Sequence, residues 1–271
     1  MKRKRKKPFL RRMALPLLVL FCGLVALQFV YPNVSKLKKH NPKKTAMMEY
    51  REAEWKREGK HYRITQRWVP YRAISPYLVK AVLIGEDDKF WKHEGFDYEA
   101  MEKAVEKDIK AKKFKLGGST ITQQLAKNLY LSPSKNPVRK LREAIITWQL
   151  ERALSKRRIL EIYLNTAEWG DRGIFGIEAA ARHYYGKHAS ELGPGEAVRL
   201  AAVLPNPRKF SPLGDQRYVV NRSNLIYNIM VRRGIVVPEY EEIEQEKDEV
   251  SPPEPEQAPL TPPIQNMQPS Q

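Results

Sequence analysis

Cysteine is nearly absent. Cys22 is the only one in 271 residues, so an intramolecular disulfide is excluded. An extracytoplasmic location stays open, because a chain of this length can build one domain with a full core and needs no covalent staple. Acidic residues are scarce beside basic ones, 31 against 49, which leaves a formal net charge of +18. A balance that basic points to an anionic partner: nucleic acid, an anionic bilayer surface or a phosphorylated substrate. Convincing strand alternation is also nearly absent and no internal repeat is visible, so the expected fold is mainly α.

Charge itself is missing from Met13 to Tyr31. That run is long enough to cross a hydrocarbon core of roughly 30 Å as a helix. Before it stand Lys2, Arg3, Lys4, Arg5, Lys6, Lys7, Arg11 and Arg12. Basic residues stay on the cytoplasmic side, which puts the amino terminus inside and the rest of the chain outside. The alternative is a cleaved signal peptide, but no small-x-small site follows the run. A lipoprotein site at Cys22 is disfavoured by Phe21, where such sites take a small residue. With the bulk of the chain outside the cell, nucleic acid drops out as a partner.

The expected organisation is a cytoplasmic basic segment over 1–12, a transmembrane helix over 13–31, a stalk over 32–60, a globular domain over 61–237 and a tail over 238–271. The stalk is rich in Lys and Glu, has few large apolar residues and is read as partly helical. The tail holds Glu239, Glu241, Glu242, Glu244 and Glu246 and ends in Pro, Gln and Glu. Such a composition cannot bury enough apolar surface to fold, so the tail is expected to be disordered. Within the domain, Ser75-Pro76 reads as a helix start. Thr120 with Gln123 fits a capping box. Further helices are expected over 138–154, from Ser155 through Asn165, and over 176–185 and 195–204.

Three segments carry candidate chemistry. Glu86 continues the apolar stripe of Val79, Val82 and Leu83 at a helix end. A carboxylate there is partly desolvated, which raises its pKa toward that of a useful general base; a helix-end salt bridge is the plainer alternative. Next, Gly117-Gly118 precede a capped helix whose polar face offers Thr120, Gln123, Gln124 and Lys127, beside Ser119. Free N–H groups at such an N-terminus bind anions, and uncharged donors with one cation suit a sugar phosphate. An ordinary capped helix explains the same residues. Third, Arg139, Lys140 and Arg142 stand in the first turn of a helix, where cations oppose the macrodipole. An anion held there would rationalise them; an ion pair with Glu143 is the alternative, in the weaker basic-before-acidic orientation. Ser132-Pro133-Ser134-Lys135 matches S-x-x-K, but no K-T-G element accompanies it, and the match is read as chance.

Taken in order, these segments resemble the peptidoglycan glycosyltransferase family, whose fold is lysozyme-like. Glu86-Asp87-Asp88-Lys89-Phe90-Trp91-Lys92-His93-Glu94-Gly95-Phe96-Asp97 resembles its motif E-D-x-x-F-x-x-H-x-G-F-D. Gly117 to Gln124 is similar to G-G-S-T-I-T-Q-Q, and Arg139-Lys140-x-x-Glu143 to R-K-x-x-E. Ile159 to Asn165 and Gly176 to Gly186 resemble the last two motifs. With no transpeptidase segment following, the monofunctional branch is expected. The resemblance implies lipid II as acceptor and a lipid-linked glycan as donor, joined with inversion and release of undecaprenyl diphosphate. It implies Glu86 as general base and Glu143 as the second carboxylate, orienting cations or helping to hold a divalent ion. Ser119, Thr120, Gln123 and Gln124 would contact substrate. Lys127, Lys135, Arg139 and Lys140 would stabilise the leaving diphosphate. Lys135 stands where many relatives carry Arg, which keeps the charge but loses bidentate geometry. A divalent cation, Mg or Mn, at the diphosphate is left open, because the sequence shows no dedicated ligand cluster. The basic amphipathic stretch 99–116 suits an anionic bilayer, and equally a solvated helix face. The implied setting is the bacterial cytoplasmic membrane, with other cell-wall synthases as candidate partners. A lysozyme-like lytic enzyme is the nearest rival, but its substrate has no diphosphate to explain the cations. A non-catalytic scaffold would be expected to lack Glu86 or Glu143.

Overall fold

The computed structural model describes residues 31–111, 118–133 and 136–236, together with Pro16 and Gly23. Among the described residues nine α-helices make up nearly all of the regular structure: α1 Ala46–Arg57, α2 Pro76–Glu86, α3 Tyr98–Ala111, α4 Ile121–Tyr130, α5 Pro137–Ala153, α6 Lys156–Thr166, α7 Ile177–Tyr185, α8 Pro194–Val203 and α9 Arg217–Arg232. Two short strands, β1 Thr65–Gln66 and β2 Ile174–Phe175, pair in parallel with Thr65 opposite Ile174. The mainly α expectation therefore holds. Packing divides the chain after Ile235, and of the second unit only Val236 is described.

The helix starts follow local chemistry. Thr120 and Gln123 form a complete capping box at α4. Asn136 Oδ1 accepts from the Val138 N–H at 2.8 Å, and Pro137 fills the first position of α5. Ser155 Oγ accepts from the Arg158 N–H and opens α6. The helix start expected at Ser75-Pro76 is found, but without a side-chain cap. The Ser75 hydroxyl donates instead to the Leu192 carbonyl at 2.6 Å and so ties the start of α2 to the loop before α8. Proline at the first position is enough to start the helix there.

Helices α2, α8 and α9 pack on one another, while α4 packs on α5 and α6, with α1 against α4. Phe90, Trp55, Tyr163 and Trp169 are among the largest fully buried side chains. The segment 32–60, read from its composition as a partly helical stalk, contains α1 and also carries buried residues. Val34, Leu37, Met47, Met48 and Trp55 are buried, and the Arg51 guanidinium pairs with Glu168 at 2.9 Å. Few apolar residues are present, but Met47, Met48 and Trp55 are spaced to share one helix face, and that face is covered.

Among the described residues no helix is long and apolar enough to cross a membrane. The expected cytoplasmic segment, nearly all of the expected membrane helix and the expected disordered tail lie outside the described residues.

Candidate active site

Glu86 is the last residue of α2, and its side chain is 8% exposed. Gln124, from the first turn of α4, donates from Nε2 to Glu86 Oε2 at 2.8 Å. The Tyr163 hydroxyl on α6 donates to Gln124 Oε1 at 3.0 Å, which fixes the orientation of that amide. Arg222 on α9 donates from Nη2 to Glu86 Oε1 at 3.1 Å. Burial pushes the Glu86 carboxyl above the ordinary glutamate range; the Gln124 bond and the charges of Arg222 and Lys127 pull the other way without cancelling it. The desolvation expected from the apolar stripe is thus present, together with the salt bridge posed as its alternative.

The next residue organises the loop between α2 and α3. Asp87 is buried, and its Oδ2 accepts from the Ile121 N–H at the start of α4, at 2.9 Å. Its Oδ1 lies 2.8 Å from His93 Nε2. His93 Nδ1 accepts from the Gly95 N–H, so Nε2 carries the proton donated to Asp87. Thr120 Oγ1 in turn donates to the Gly95 carbonyl at 2.7 Å. Glu86 and Gln124 are therefore held in register by a closed set of bonds between the end of α2 and the start of α4. Asp87→Asn removes one of two required acceptors and sets an amide donor against either the Ile121 N–H or the His93 N–H. Such a loss costs ~1–3 kcal/mol. The melting temperature is expected to fall by several degrees, at roughly 2–4 °C per kcal/mol for a domain of this size. An unchanged melting temperature in calorimetry would mean that Asp87 does not hold the loop.

A cleft of 630 Å³ opens here. Glu86, Ser119, Thr120, Gln124, Lys127 and Arg222 are among its lining residues. Gly118 also lines it, at φ 124°, a conformation an L side chain rarely adopts. Gln123 does not line the cleft. It is buried, and its Oε1 accepts from the Thr120 N–H in the cap. Lys135 lies outside the described residues.

Glu143 is buried on α5 and pairs with Arg139 at 2.6 Å and with Lys140. The intrahelical ion pair posed as an alternative thus forms. Arg139 Nε and Arg142 Nε are nevertheless buried with no partner among the described residues. Lys127 links this group to Glu86. Burial lowers its pKa, Glu143 and Glu86 act to raise it, and Arg139 and Lys140 act to lower it. Both oxygens of Glu143 are taken by cations, and among the described residues no three His, Cys, Asp or Glu side chains converge. Asp87, His93, Tyr163 and Arg222 were not singled out as site residues from sequence. Asp87 and His93 sat inside a quoted motif, whereas nothing near Arg222 signalled a partner at Glu86.

The family described as Transglycosylase matches residues 54–231, and the chain belongs to that family. It is similar to a biosynthetic peptidoglycan transglycosylase of Methylobacillus flagellatus, 46% identical over 211 residues that cover 78% of this chain and 92% of the relative. Proteins of the same name from Azoarcus sp. (50% over 195 residues, 72% and 84% covered) and Dechloromonas aromatica (53% over 170 residues, 63% and 73% covered) are also similar.

Proposed function

We propose that this transglycosylase is a peptidoglycan glycosyltransferase that polymerises lipid II into glycan strands and releases undecaprenyl diphosphate. The observation that carries the reading is the desolvated Glu86 carboxylate lining one cleft with Lys127, which is coupled to Arg139, Lys140 and Glu143. The relatives' shared name supports the substrate class.

In this reading Glu86 takes the proton from the acceptor sugar hydroxyl as that oxygen attacks the anomeric carbon of the lipid-linked donor. The bond to the diphosphate oxygen breaks with inversion, and the electron pair leaves with the diphosphate. Lys127, Arg139, Lys140 and Lys135 stabilise the charge that grows there. Ser119 and Gln124 sit where sugar or phosphate oxygens would be held. Glu143 keeps Arg139 and Lys140 in place.

The setting follows from the sequence. Residues 13–31 anchor the chain in the bacterial cytoplasmic membrane, 1–12 remain in the cytoplasm, and the domain works on the outer face; 238–271 form a tail. Other cell-wall synthases are candidate partners. Purified protein with labelled lipid II tests the reading. Growing glycan chains are expected; shortened sacculi would point to a lytic enzyme, and neither product to a scaffold.

A further inference from the structure

We propose that Arg222 is a positioning residue for the proposed base, fastening α9 to the end of α2 and fixing one oxygen of Glu86 while Gln124 orients the other, whose remaining lone pair takes the acceptor proton. The inference rests on the reading of Glu86 as that base.

The geometry is specific. Arg222 Nη2 donates to the Gly85 carbonyl at 2.6 Å and to Glu86 Oε1 at 3.1 Å. One guanidinium nitrogen thus reads the backbone and the carboxylate of consecutive residues. Glycine at position 85 lets α9 approach closely: a Cβ there would crowd Ile226 Cδ1 at 3.2 Å, whereas Arg222 Nη2 at 3.7 Å would be in ordinary contact. Ile226 follows Arg222 by one helical turn and is buried, so α9 presses on α2 with an apolar contact beside the ionic one. Arg222 also lines the cleft, at the opposite end of the chain's folded part from the α2 segment it serves. An arginine stays charged at every pH of interest, so it favours the carboxylate form without competing for the proton.

Glu86 is faced by four further groups. Gln124 and Lys127 come from α4, Tyr163 comes from α6, and Asp87 follows it in the chain. Lys127 is the cation among these four, and Arg222 is the other cation facing Glu86. Lys127 belongs to the proposed diphosphate group, which leaves Arg222 as the cation bonded directly to the carboxylate. Removing it takes away a charge that favours ionised Glu86. The carboxyl then titrates higher, and the acid limb of the pH–rate profile moves to higher pH.

The test compares wild type, Arg222→Ala and Arg222→Lys, measuring initial rates of labelled lipid II polymerisation from pH 5 to 9 with melting temperatures alongside. In Arg222→Ala, turnover at the acid end is expected to fall ~10-fold or more beyond any fall at the plateau, as loss of a contacting opposite charge implies. Arg222→Lys keeps the charge and should return the acid limb toward its wild-type position. A uniform loss across pH, or no loss at all, overturns the proposal. If Arg222→Ala does not fold, Arg222→Gln and Arg222→Lys supply the same comparison. The single variant Glu86→Gln, measured beside Arg222→Ala, separates the two ideas. Near-normal turnover in Glu86→Gln alone would remove the base. An inactive Glu86→Gln with an unmoved acid limb in Arg222→Ala would remove only the role given to Arg222.

Discussion

Glu86→Gln is expected to lower lipid II turnover by ~10²–10⁴-fold, the usual worth of general-base catalysis, in a protein that remains folded. The amide keeps the size of the carboxylate and can still accept from Arg222, so the packing of α9 on α2 persists. What it lacks is a lone pair basic enough to take the acceptor proton. Substrate affinity should change little, because the loss falls on a step made only in the transition state. The wild-type profile should show the same group. Burial raises the Glu86 carboxyl, and only its ionised form is a base. Activity is therefore present above the folded pKa and is lost as pH falls through it, at a higher pH than an ordinary glutamate would give. Glu86→Gln should erase that limb along with most of the rate. Initial rates for the two proteins over one pH series decide the matter. Retention of near-normal turnover, or of the acid limb, would show that the base is another group.

Much of this site is legible in the sequence because its parts are local. The stripe of Val79, Val82 and Leu83 leads to Glu86, and a residue that continues an apolar face at a helix end must be at least partly desolvated. Thr120 and Gln123 announce their cap at a separation of three residues, and the cap forms. The same locality is incomplete for Gln123. On a helical projection it shares a polar face with Gln124, yet its amide oxygen turns back to the Thr120 N–H and it is not among the cleft's lining residues. Contacts between distant segments leave no such trace. Arg222 is 136 residues from Glu86, and only the packing of α9 on α2 brings them together. The segment 32–60 is hard to read for a related reason. Its polar residues dominate the composition, but Met47, Met48 and Trp55 suffice to fill one face of α1, and Arg51 finds a partner 117 residues away. Composition reports how much a segment can bury, not whether a neighbouring surface is waiting for it.

Glu143→Gln should be the next most damaging change, with turnover falling ~10²-fold or more, the scale seen when one preorganised charge stabiliser is removed. The reason lies in the cations that Glu143 serves. Arg139 and Lys140 both pair with its buried carboxylate, and an amide has one oxygen where two were used, with no charge. Lys127 is affected without touching it. Burial already depresses the Lys127 ammonium, Arg139 and Lys140 depress it further, and Glu143 is the first of the groups acting to raise it. Without that carboxylate the Lys127 pKa moves lower still. A lysine stabilises a leaving diphosphate only while protonated, so its contribution is present below its pKa and is lost as pH rises through it. The basic limb of the pH–rate profile is therefore expected to shift to lower pH in Glu143→Gln, while the acid limb set by Glu86 shifts far less. Glu143→Asp keeps the charge on a shorter arm and should recover part of the rate and of the limb. Measuring the three profiles in one detergent at one ionic strength separates this from a fold defect, which would lower activity at every pH alike. A basic limb that stays in place in Glu143→Gln would mean that Glu143 only braces α5 and has no part in holding the diphosphate charge.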